Sequence, residues 1–519
     1  MDLEHDACYR VLETRDARFD GRLFVGVTTT GIYCRPICPA RLPKPGNVVF
    51  FSTAAAAQEN GFRPCLRCRP EIAPDLAAWR GTSNTVSRAL RLIEMGALDG
   101  SDLASLADRL GVGERQLRRL FRQHIGASPI AVALTRRILL AKQLIHDTTL
   151  PMAEVALASG FGSIRRFNET FQQLYKRPPG ALRRDVGGGM PGGEAVTVSL
   201  PYRPPYDWQA MIAFLRTRAI PGVEVVSDSS YARTIEIGGV HGLVSVRPAA
   251  CNCLEATIHL RKLTILPSII ARLRRVFDLG ADPDVIRTHL AEDSVLAPLV
   301  AQRPGLRVPG AWDGFELATR AILGQQITVT GAIQLAGRLV ERYGDPLDPA
   351  LPASSGLTHV FPRASVFAAA DLAPVGMPAA RRNALSALAG AVTADPNIFG
   401  PRRTLEEAVT RLRDLPGIGE WTAQYIAMRE LREPDAFPAA DIGLLRALAD
   451  AEGRRPTAVE LLSRAEGWRP WRAYAAQHLW ASHAPAWPGR VEAADGKVGT
   501  TAARRRTAGA IVATGQIIR

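Results

Sequence analysis

Four cysteines near the amino terminus have the spacing of a metal site. They form two close pairs, Cys34-x3-Cys38 and Cys65-x2-Cys68, and four such thiolates can surround one tetrahedral Zn²⁺ ion. The sequence around them is rich in arginine: Arg35, Arg41, Arg63, Arg67 and Arg69. Cations around a zinc–thiolate centre point to phosphate and therefore to DNA. The spacing alone favours a zinc site that only stabilises a small fold, since most all-cysteine zinc sites are structural.

A second group of residues suited to chemistry lies near the other end of the chain. Leu415-Pro-Gly417-Ile-Gly419 has two glycines around a hydrophobic residue, which is typical of a helix-hairpin-helix turn. The backbone N–H groups of such a turn bind a DNA phosphate without reading sequence. A lone hairpin would indicate nonspecific DNA binding only, but a proline-containing loop and Asp441 follow it here.

Composition bounds the kind of protein that carries these groups. The 519 residues allow three or four domains, and the formal net charge of +14 predicts an anionic partner. No apolar run is long enough for a membrane span, and the acidic amino terminus lacks the apolar core of a signal peptide. Zinc thiolates need a reducing compartment, so we expect a cytoplasmic protein. Cys8, Cys251 and Cys253 are expected to be ordinary thiols.

Changes in composition divide the chain into segments that position these groups. Residues 187–195 are glycine-rich and predict a flexible linker between two independently moving halves. The alternating runs after it predict a small α+β unit followed by helices throughout. The predicted segments are 1–78, a small loop-rich zinc domain; 79–186, a helical region; 187–195, the linker; 196–310, the α+β unit; 311–486, the all-helical domain; and 487–519, a disordered tail.

The helical region 79–186 contains two helix-turn-helix patterns about fifty residues apart. In each pattern a helix ends at a glycine and a second helix follows, Glu114 to His124 in the first and Ser163 to Tyr175 in the second. Second helices of this kind enter the major groove, and we expect about half of their polar residues to contact only phosphate or solvent. The candidates are Arg115, Gln116, Arg118 and Arg119, and Ser163, Arg165, Arg166 and Asn168.

The first 75 or so residues resemble the zinc domain of the Ada adaptive-response proteins. The motifs that carry the resemblance are Gly31-Ile-Tyr-Cys34-Arg-Pro-Ile-Cys38 and Gly61-Phe-Arg-Pro-Cys65-Leu-Arg-Cys68. The resemblance implies one zinc ion that is reactive as well as structural, with Cys34 accepting a methyl group from a DNA methylphosphotriester. Thr30 and Arg41 then stand where they would orient the phosphate. Residues 79–186 similarly resemble the AraC-type DNA-binding region, through Gly160-Phe161 and Pro178-Pro-Gly180.

The second half resembles the AlkA family of 3-methyladenine DNA glycosylases from about residue 197 to 484. Matching motifs include Pro204-Pro-Tyr-Asp-Trp208 and Ala321-Ile-Leu-Gly-Gln325. The resemblance implies that Asp441 is the catalytic carboxylate and that the hairpin glycines Gly417 and Gly419 bind DNA. The pocket positions implied for the base are Trp421, Tyr425 and Trp480, and Gln326 stands where the family carries a leucine that replaces the flipped base.

Trp421 also occupies the position at which bifunctional relatives carry a Schiff-base lysine, so the resemblance implies a monofunctional glycosylase without lyase activity. The Pro-Cys-His-Arg motif of a second methyltransferase domain is missing from this sequence. The fold class predicted is therefore multidomain and mainly α with α+β parts.

The predicted function is a methylphosphotriester sensor and transcription activator fused to a glycosylase for 3-methyladenine and 7-methylguanine. The alternative is a regulator whose glycosylase half only binds DNA. We expect double-stranded DNA and RNA polymerase as partners, no membrane, and a monomer.

Overall fold

A computed structural model describes residues 4–74, 84–183, 195–352, 354–400, 404–450 and 452–482. Nearly all of the predicted linker 187–195 and the whole of the predicted tail 487–519 lie outside these residues. Within them, no helix is long and apolar enough to cross a membrane.

The zinc module is built on a small sheet that brings the two cysteine pairs together. Tyr33, fully buried, packs edge-on against Phe24 beneath this sheet. The strand ending at Cys34 pairs in parallel with the strand that precedes Cys65, so residues thirty apart in sequence become neighbours. The sheet order is β3-β1-β2-β4. The elements are α1 His5–Glu13, β1 Phe24–Val27, β2 Ile32–Cys34, β3 Val48–Phe51, α2 Ala54–Glu59 and β4 Arg63–Pro64.

Six helices follow and form the two helix-turn-helix units that the sequence predicts. The second helix of the second unit begins after Ser163, whose side chain caps it by accepting the N–H of Arg166 at 3.1 Å. A long helix joins the two units and is half-buried along its length. The helices are α3 Asn84–Glu94, α4 Leu103–Arg109, α5 Glu114–Ile125, α6 Pro129–Asp147, α7 Met152–Ala158 and α8 Ile164–Tyr175.

The α+β unit is an antiparallel five-stranded sheet of order β5-β9-β8-β7-β6. Ala195, assigned to the linker from the sequence, instead begins the first strand because it pairs with His259. One face of the sheet is covered by two helices. The elements are β5 Ala195–Pro201, α9 Trp208–Arg216, β6 Glu224–Val226, β7 Tyr231–Ile237, β8 Val240–Ala249, β9 Cys253–Leu260 and α10 Leu266–Val276.

The remaining helices form one apolar core. The sequence places the domain boundary at residue 310, but two earlier helices already contribute Ile286, Leu290, Leu296 and Val300 to this core. The helices are α11 Pro283–Leu290, α12 Leu296–Gln302, α13 Gly314–Leu323, α14 Val329–Tyr343, α15 Ala364–Ala369, α16 Ala379–Ala394, α17 Leu405–Arg413, α18 Glu420–Arg429, α19 Ile442–Ala447, α20 Ala458–Ala465 and α21 Arg472–Ser482.

The two halves of the chain share a hydrophobic core, contrary to the independent motion that the glycine-rich segment predicts. Phe167 and Phe171 of α8 are fully buried in the same cluster as Val198 and Ile258 of the five-stranded sheet. Polar contacts add to it, because Gln143 of α6 donates to the carbonyl of Ser199 at 2.8 Å. Composition near residue 190 could not reveal this packing, since the contacts lie elsewhere in the sequence.

Buried ion pairs also cross between modules. Glu433, in the loop after α18, accepts hydrogen bonds from Arg88 at 3.2 Å and Arg91 at 3.3 Å, both on α3. Asp282, at the start of α11, is paired with Arg22 of the zinc module and with Arg203. Buried charges of this kind are costly unless both partners are in place, so these contacts hold the modules in one arrangement.

Candidate functional site

The zinc module places four sulfur atoms at the corners of a site that fits one metal ion. The Sγ atoms of Cys34, Cys38, Cys65 and Cys68 all lie within 4.8 Å of one another. Zinc–sulfur bonds of about 2.3 Å in a tetrahedron put the sulfurs roughly 3.8 Å apart, and four thiolates are a zinc-preferring donor set. The chain therefore holds one zinc ion through these four cysteines.

The four sulfurs are not equivalent. Cys38, Cys65 and Cys68 are buried, whereas Cys34 is partly exposed. Backbone N–H groups donate to Cys65 from Arg67 at 3.3 Å and to Cys68 from Arg35 at 3.4 Å. Such bonds stabilise negative charge on sulfur and make it a weaker nucleophile. Exposure and weaker charge stabilisation both favour Cys34 as the reactive sulfur.

The arginines around the cluster divide into internal and external groups. Arg35 is buried, donates to the carboxylate of Asp20 at 2.8 Å and to the carbonyl of Cys68 at 3.2 Å, and so supports the cluster from behind. Arg41 and Arg67 are exposed and free to meet a phosphate. Thr30 is also exposed, with its hydroxyl bonded to the carbonyl of Val27 at 3.4 Å. The sequence had not separated Arg35 from the phosphate-facing group.

The candidate recognition residues all lie on the open faces of α5 and α8. All eight are exposed, while the apolar residues between them, such as Leu117 and Phe167, are fully buried. Three of the arginines are engaged within their own helix through their side chains, because Arg118 pairs with Glu114 at 3.1 Å, Arg165 pairs with Glu169 at 2.8 Å, and Arg119 donates to Gln116 at 2.9 Å. Exposed i,i+4 pairs are weak, so these arginines remain available to DNA.

The hairpin of the glycosylase-like half connects α17 to α18. Gly417 has φ +82°, and a Cβ there would lie 2.4 Å from the Cβ of Ala384, so no other residue fits. Gly419 caps α18 and has open space around it. Gln325 anchors the turn by donating to the carbonyl of Gly417 at 2.8 Å. Gly417 and Gly419 are both exposed, so the turn leaves the amino terminus of α18 open to solvent, where a phosphate could reach its N–H groups.

Asp441 lies at the centre of a dense set of donors. Its Oδ1 accepts the backbone N–H groups of Gly443 at 2.9 Å and Leu444 at 3.1 Å, which makes it the cap of α19. The indole N–H of Trp480 reaches the same oxygen at 2.8 Å, and the indole of Trp421 reaches Oδ2 at 2.7 Å. The structure thus brings together Asp441, Trp421 and Trp480, which the sequence assigns to one site. It adds the hydrogen bonds from the two indoles to the carboxylate, which the resemblance did not specify.

The third predicted aromatic stands one helical turn from Trp421. Trp421 and Tyr425 are stacked, with ring centroids 5.1 Å apart and planes 10° from parallel. The guanidinium of Arg429, one turn further along α18, lies 4.8 Å from the Tyr425 centroid and 5.6 Å from that of Trp480. Trp421, Tyr425 and Arg429 form a column at spacing i, i+4, i+8.

Sequence reasoning missed the cationic side of this pocket. Arg429 is buried, and Phe214 of α9 contacts it at 4.5 Å. Burial lowers the pKa of Arg429 to about 10. Burial alone would raise the pKa of Tyr425, but Arg429 and Arg218 outweigh it and hold that pKa below its ordinary value. One feature of the sequence could have indicated this role for Arg429: it stands four residues after Tyr425 in a largely apolar helix. Phe214 and Arg218 lie some 200 residues away in the sequence, and no motif connects them with this site.

Gln326 lies apart from the donors around Asp441, in the short loop between α13 and α14. It is exposed and its backbone has φ +58°, a left-handed conformation that costs free energy in a residue with a side chain. The carbonyl of the preceding residue, Gln325, accepts from Arg381 at 2.6 Å. The loop is thus braced while the Gln326 side chain projects into solvent, consistent with insertion into a DNA stack.

Known families match three parts of the chain. A model of the metal binding domain of Ada matches residues 7–71, a helix-turn-helix domain matches 106–185, and the AlkA N-terminal domain matches 197–313. The chain is 41% identical over 483 residues to a probable bifunctional transcriptional activator/DNA repair enzyme AlkA from Mycobacterium tuberculosis, covering 92% of this chain and 96% of that protein.

Two further relatives each match one half. DNA-3-methyladenine glycosylase 2 of Escherichia coli is 36% identical over 286 residues, which are 54% of this chain and 96% of that protein. The bifunctional transcriptional activator/DNA repair enzyme Ada of the same organism is 37% identical over 129 residues, 25% of this chain and 35% of that protein.

Proposed function

Because this chain belongs to the family of bifunctional transcriptional activators and DNA repair enzymes AlkA, we propose that it answers DNA alkylation in two ways. Its amino-terminal half accepts methyl groups from DNA methylphosphotriesters on Cys34 and then activates transcription. Its carboxyl-terminal half is a monofunctional glycosylase that releases 3-methyladenine and 7-methylguanine. The observation that supports the glycosylase most directly is the Asp441 carboxylate bound by the indoles of Trp421 and Trp480.

Methyl transfer to Cys34 is a single displacement. The sulfur attacks the methyl carbon, an S–C bond forms, and the C–O bond breaks with its electron pair leaving on the phosphate oxygen as an ordinary phosphodiester. When bound, zinc keeps the four cysteines as thiolates at neutral pH. Arg41 and Thr30, exposed in the zinc module, orient the phosphate. The product is a thioether, so each chain accepts one methyl group and is not regenerated.

The same transfer gives the chain its regulatory signal. Four thiolates around one divalent cation carry a formal charge of −2, and methylating one sulfur leaves −1. Since DNA is a dense line of negative charge, this change strengthens binding of the zinc module and of the two helix-turn-helix units next to it. We propose that activation follows from this tighter binding and from contact between RNA polymerase and a chain that acts as a monomer.

Base excision relies on electrostatics at Asp441. As the bond from the sugar to the base breaks, its electron pair leaves with the base and positive charge builds up at C1′. The fixed carboxylate stabilises that charge while water attacks. Bases alkylated at N3 or N7 are already cationic, so they leave without a strong general acid. Trp421 and Trp480 have two roles here, because their rings border the pocket and their N–H groups hold Asp441.

Two measurements test the proposal half by half. Duplex DNA treated with a methylating agent is incubated with wild type and with Cys34→Ser. We expect both proteins to release 3-methyladenine and 7-methylguanine, and only wild type to gain one methyl group at Cys34 by peptide mass spectrometry. Absence of base release from both would reduce the carboxyl-terminal half to a DNA-binding module. Absence of methyl on wild-type Cys34 would leave the zinc site structural.

A further inference from the structure

A lysine from the helix-turn-helix region is buried against the zinc cluster. Lys142, in the middle of α6, has no exposed surface. Its ammonium donates to the carbonyl of Cys65 at 2.7 Å and to the carboxylate of Glu71 at 2.6 Å. Cys65 is one of the four zinc ligands, so α6 contacts the backbone of the metal loop directly. No motif pointed to Lys142, since its partners are more than seventy residues away.

The same loop is attached to the helices at two other points. Leu66, between the two ligands of the Cys65-x2-Cys68 pair, packs against the core that contains Phe167 and Phe171 of α8. Arg69 bonds Glu71 at 3.0 Å and Asp147, at the end of α6, at 2.7 Å. The metal loop is therefore connected to α6 by an ammonium and a guanidinium, and to the core of the second helix-turn-helix unit by the apolar contact of Leu66.

Glu71 is a buried carboxylate whose negative charge acts on two buried tyrosines. Its side chain is almost fully buried, with 1% exposed. The hydroxyl groups of Tyr33 and Tyr175 are buried and have no hydrogen-bond partner among the residues that the structure describes. Both lie within electrostatic range of Glu71, and Tyr33 immediately precedes Cys34. Unpaired buried hydroxyl groups are costly, so a small shift that let one of them donate to Glu71 would be favourable.

We propose that Lys142 is a positioning residue that holds the Cys65–Cys68 loop on α6 and passes the charge change at Cys34 to the second helix-turn-helix unit. The inference rests on the proposed methyl transfer to Cys34. Before transfer, the buried ammonium is attracted both to the cluster and to Glu71. Loss of one negative charge from the cluster weakens the first attraction, because charges separated by protein rather than water interact strongly. The loop, α6 and α8 then adjust together around Glu71.

The test separates this role from a merely structural one. Replacing Lys142 alone would leave the buried Glu71 with only Arg69 as a charged partner, so the variant is the double substitution Lys142→Met with Glu71→Gln, which removes both charges. The matched control is Arg137→Gln, which breaks an ion pair of α6 with Asp99, a residue outside the zinc module. All three proteins are checked for one bound zinc per chain.

Each protein is then methylated at Cys34 with methylphosphotriester DNA, and the methyl group is confirmed by mass spectrometry. Affinity for an undamaged duplex of random sequence is measured before and after methylation. We expect a gain of about tenfold in wild type and in the Arg137 control, most of it from the joint adjustment of the loop, α6 and α8. We expect a gain of about twofold in the double variant, which keeps only the direct effect of one charge near the DNA backbone. A full gain in the double variant would overturn the inference.

Two further outcomes keep the experiment decisive. If the double variant does not retain zinc, the affinity comparison is replaced by amide hydrogen exchange of α6 in the wild-type protein, measured before and after methylation. A change in protection near Lys142 supports the inference, and identical protection overturns it. If wild-type Cys34 gains no methyl group, the proposed function of the zinc module fails and this inference falls with it, a result recognised by mass spectrometry before any affinity is compared.

Discussion

Replacing Asp441 by asparagine is the sharpest test of the base-excision site, because the structure predicts separate effects on rate and on stability. The Asp441 Oδ1 atom accepts three donors, from Gly443, Leu444 and Trp480, whereas Oδ2 accepts only Trp421. The carbonyl oxygen of asparagine therefore takes the Oδ1 position and keeps the cap of α19. Its NH₂ group must then face the indole N–H of Trp421, a contact between two donors.

The expected magnitudes follow from charge and from that contact. A carboxylate about 4 Å from a developing positive charge, at an effective dielectric constant of about 20, contributes about 4 kcal/mol, which corresponds to roughly a thousandfold in rate. Asparagine is as good a helix cap as aspartate, so stability changes only through the unpaired indole, by about 1–3 kcal/mol. We expect base release to fall about a thousandfold while the protein remains folded and binds DNA.

The assay is single-turnover release of 3-methyladenine from methylated duplex DNA, with DNA affinity and urea unfolding measured on the same samples. The matched control is Asp313→Asn, because Asp313 also caps a helix by accepting two backbone N–H groups, those of Phe315 and Glu316, and lies outside the pocket. That control should release base at nearly the wild-type rate. A rate for Asp441→Asn within about tenfold of wild type would refute the electrostatic role.

Four other substitutions, one of them a control, have outcomes that the structure predicts. Trp480→Phe keeps a ring in the pocket but removes a hydrogen bond of 2.8 Å to a carboxylate, so base release should fall about ten- to a hundredfold with little change in DNA affinity. Trp468→Phe, which removes an indole bond to Asp293 at 2.9 Å instead, should leave the rate near that of wild type. Arg115 is exposed on α5. If it contacts a phosphate, Arg115→Ala should reduce the slope of the logarithm of the DNA-binding constant against the logarithm of the salt concentration by about one, and an unchanged slope would exclude that contact. Burial and Arg303 lower the pKa of His478 to about 4 from its ordinary 6.5. As the pH falls, the unfolded chain takes up this proton before the folded chain does. The free energy of unfolding therefore keeps its full value above about pH 6.5 and falls by up to about 3 kcal/mol towards pH 4. His478→Gln should make the free energy of unfolding, measured with urea, depend less on pH in this range.

The sequence predicted local patterns well because each one depends on neighbouring residues. Cysteine spacing identified the four zinc ligands, and helix periodicity identified both helix-turn-helix units. The hairpin around Gly417 needs a glycine for a local reason, its positive φ of +82°. That requirement is visible in the sequence, whereas the approach of Ala384, 2.4 Å from the missing Cβ, is a long-range contact that only the structure shows.

What the sequence could not predict depends on distant contacts. Lys142 looks like any helix residue until its partners Cys65 and Glu71 are placed beside it. Arg429 looks like an ordinary charged helix residue, but its guanidinium packs on the ring of Phe214, which belongs to another module. The glycine-rich segment suggested two separate bodies, because composition reports only the chain between modules and not the surfaces on either side of it. A buried charge becomes interpretable only when both of its partners are known.

The core shared by the helix-turn-helix region and the five-stranded sheet also concerns whether the two halves can be separated. Val198 and Ile258 of the sheet belong to one buried apolar cluster with Phe167 and Phe171. Expressing the halves as two chains would divide this cluster, and newly exposed apolar surface favours aggregation. We therefore expect the separated halves to be less soluble than the whole chain. The two halves should unfold in one cooperative transition, so a mutation that destabilises one half also destabilises the other.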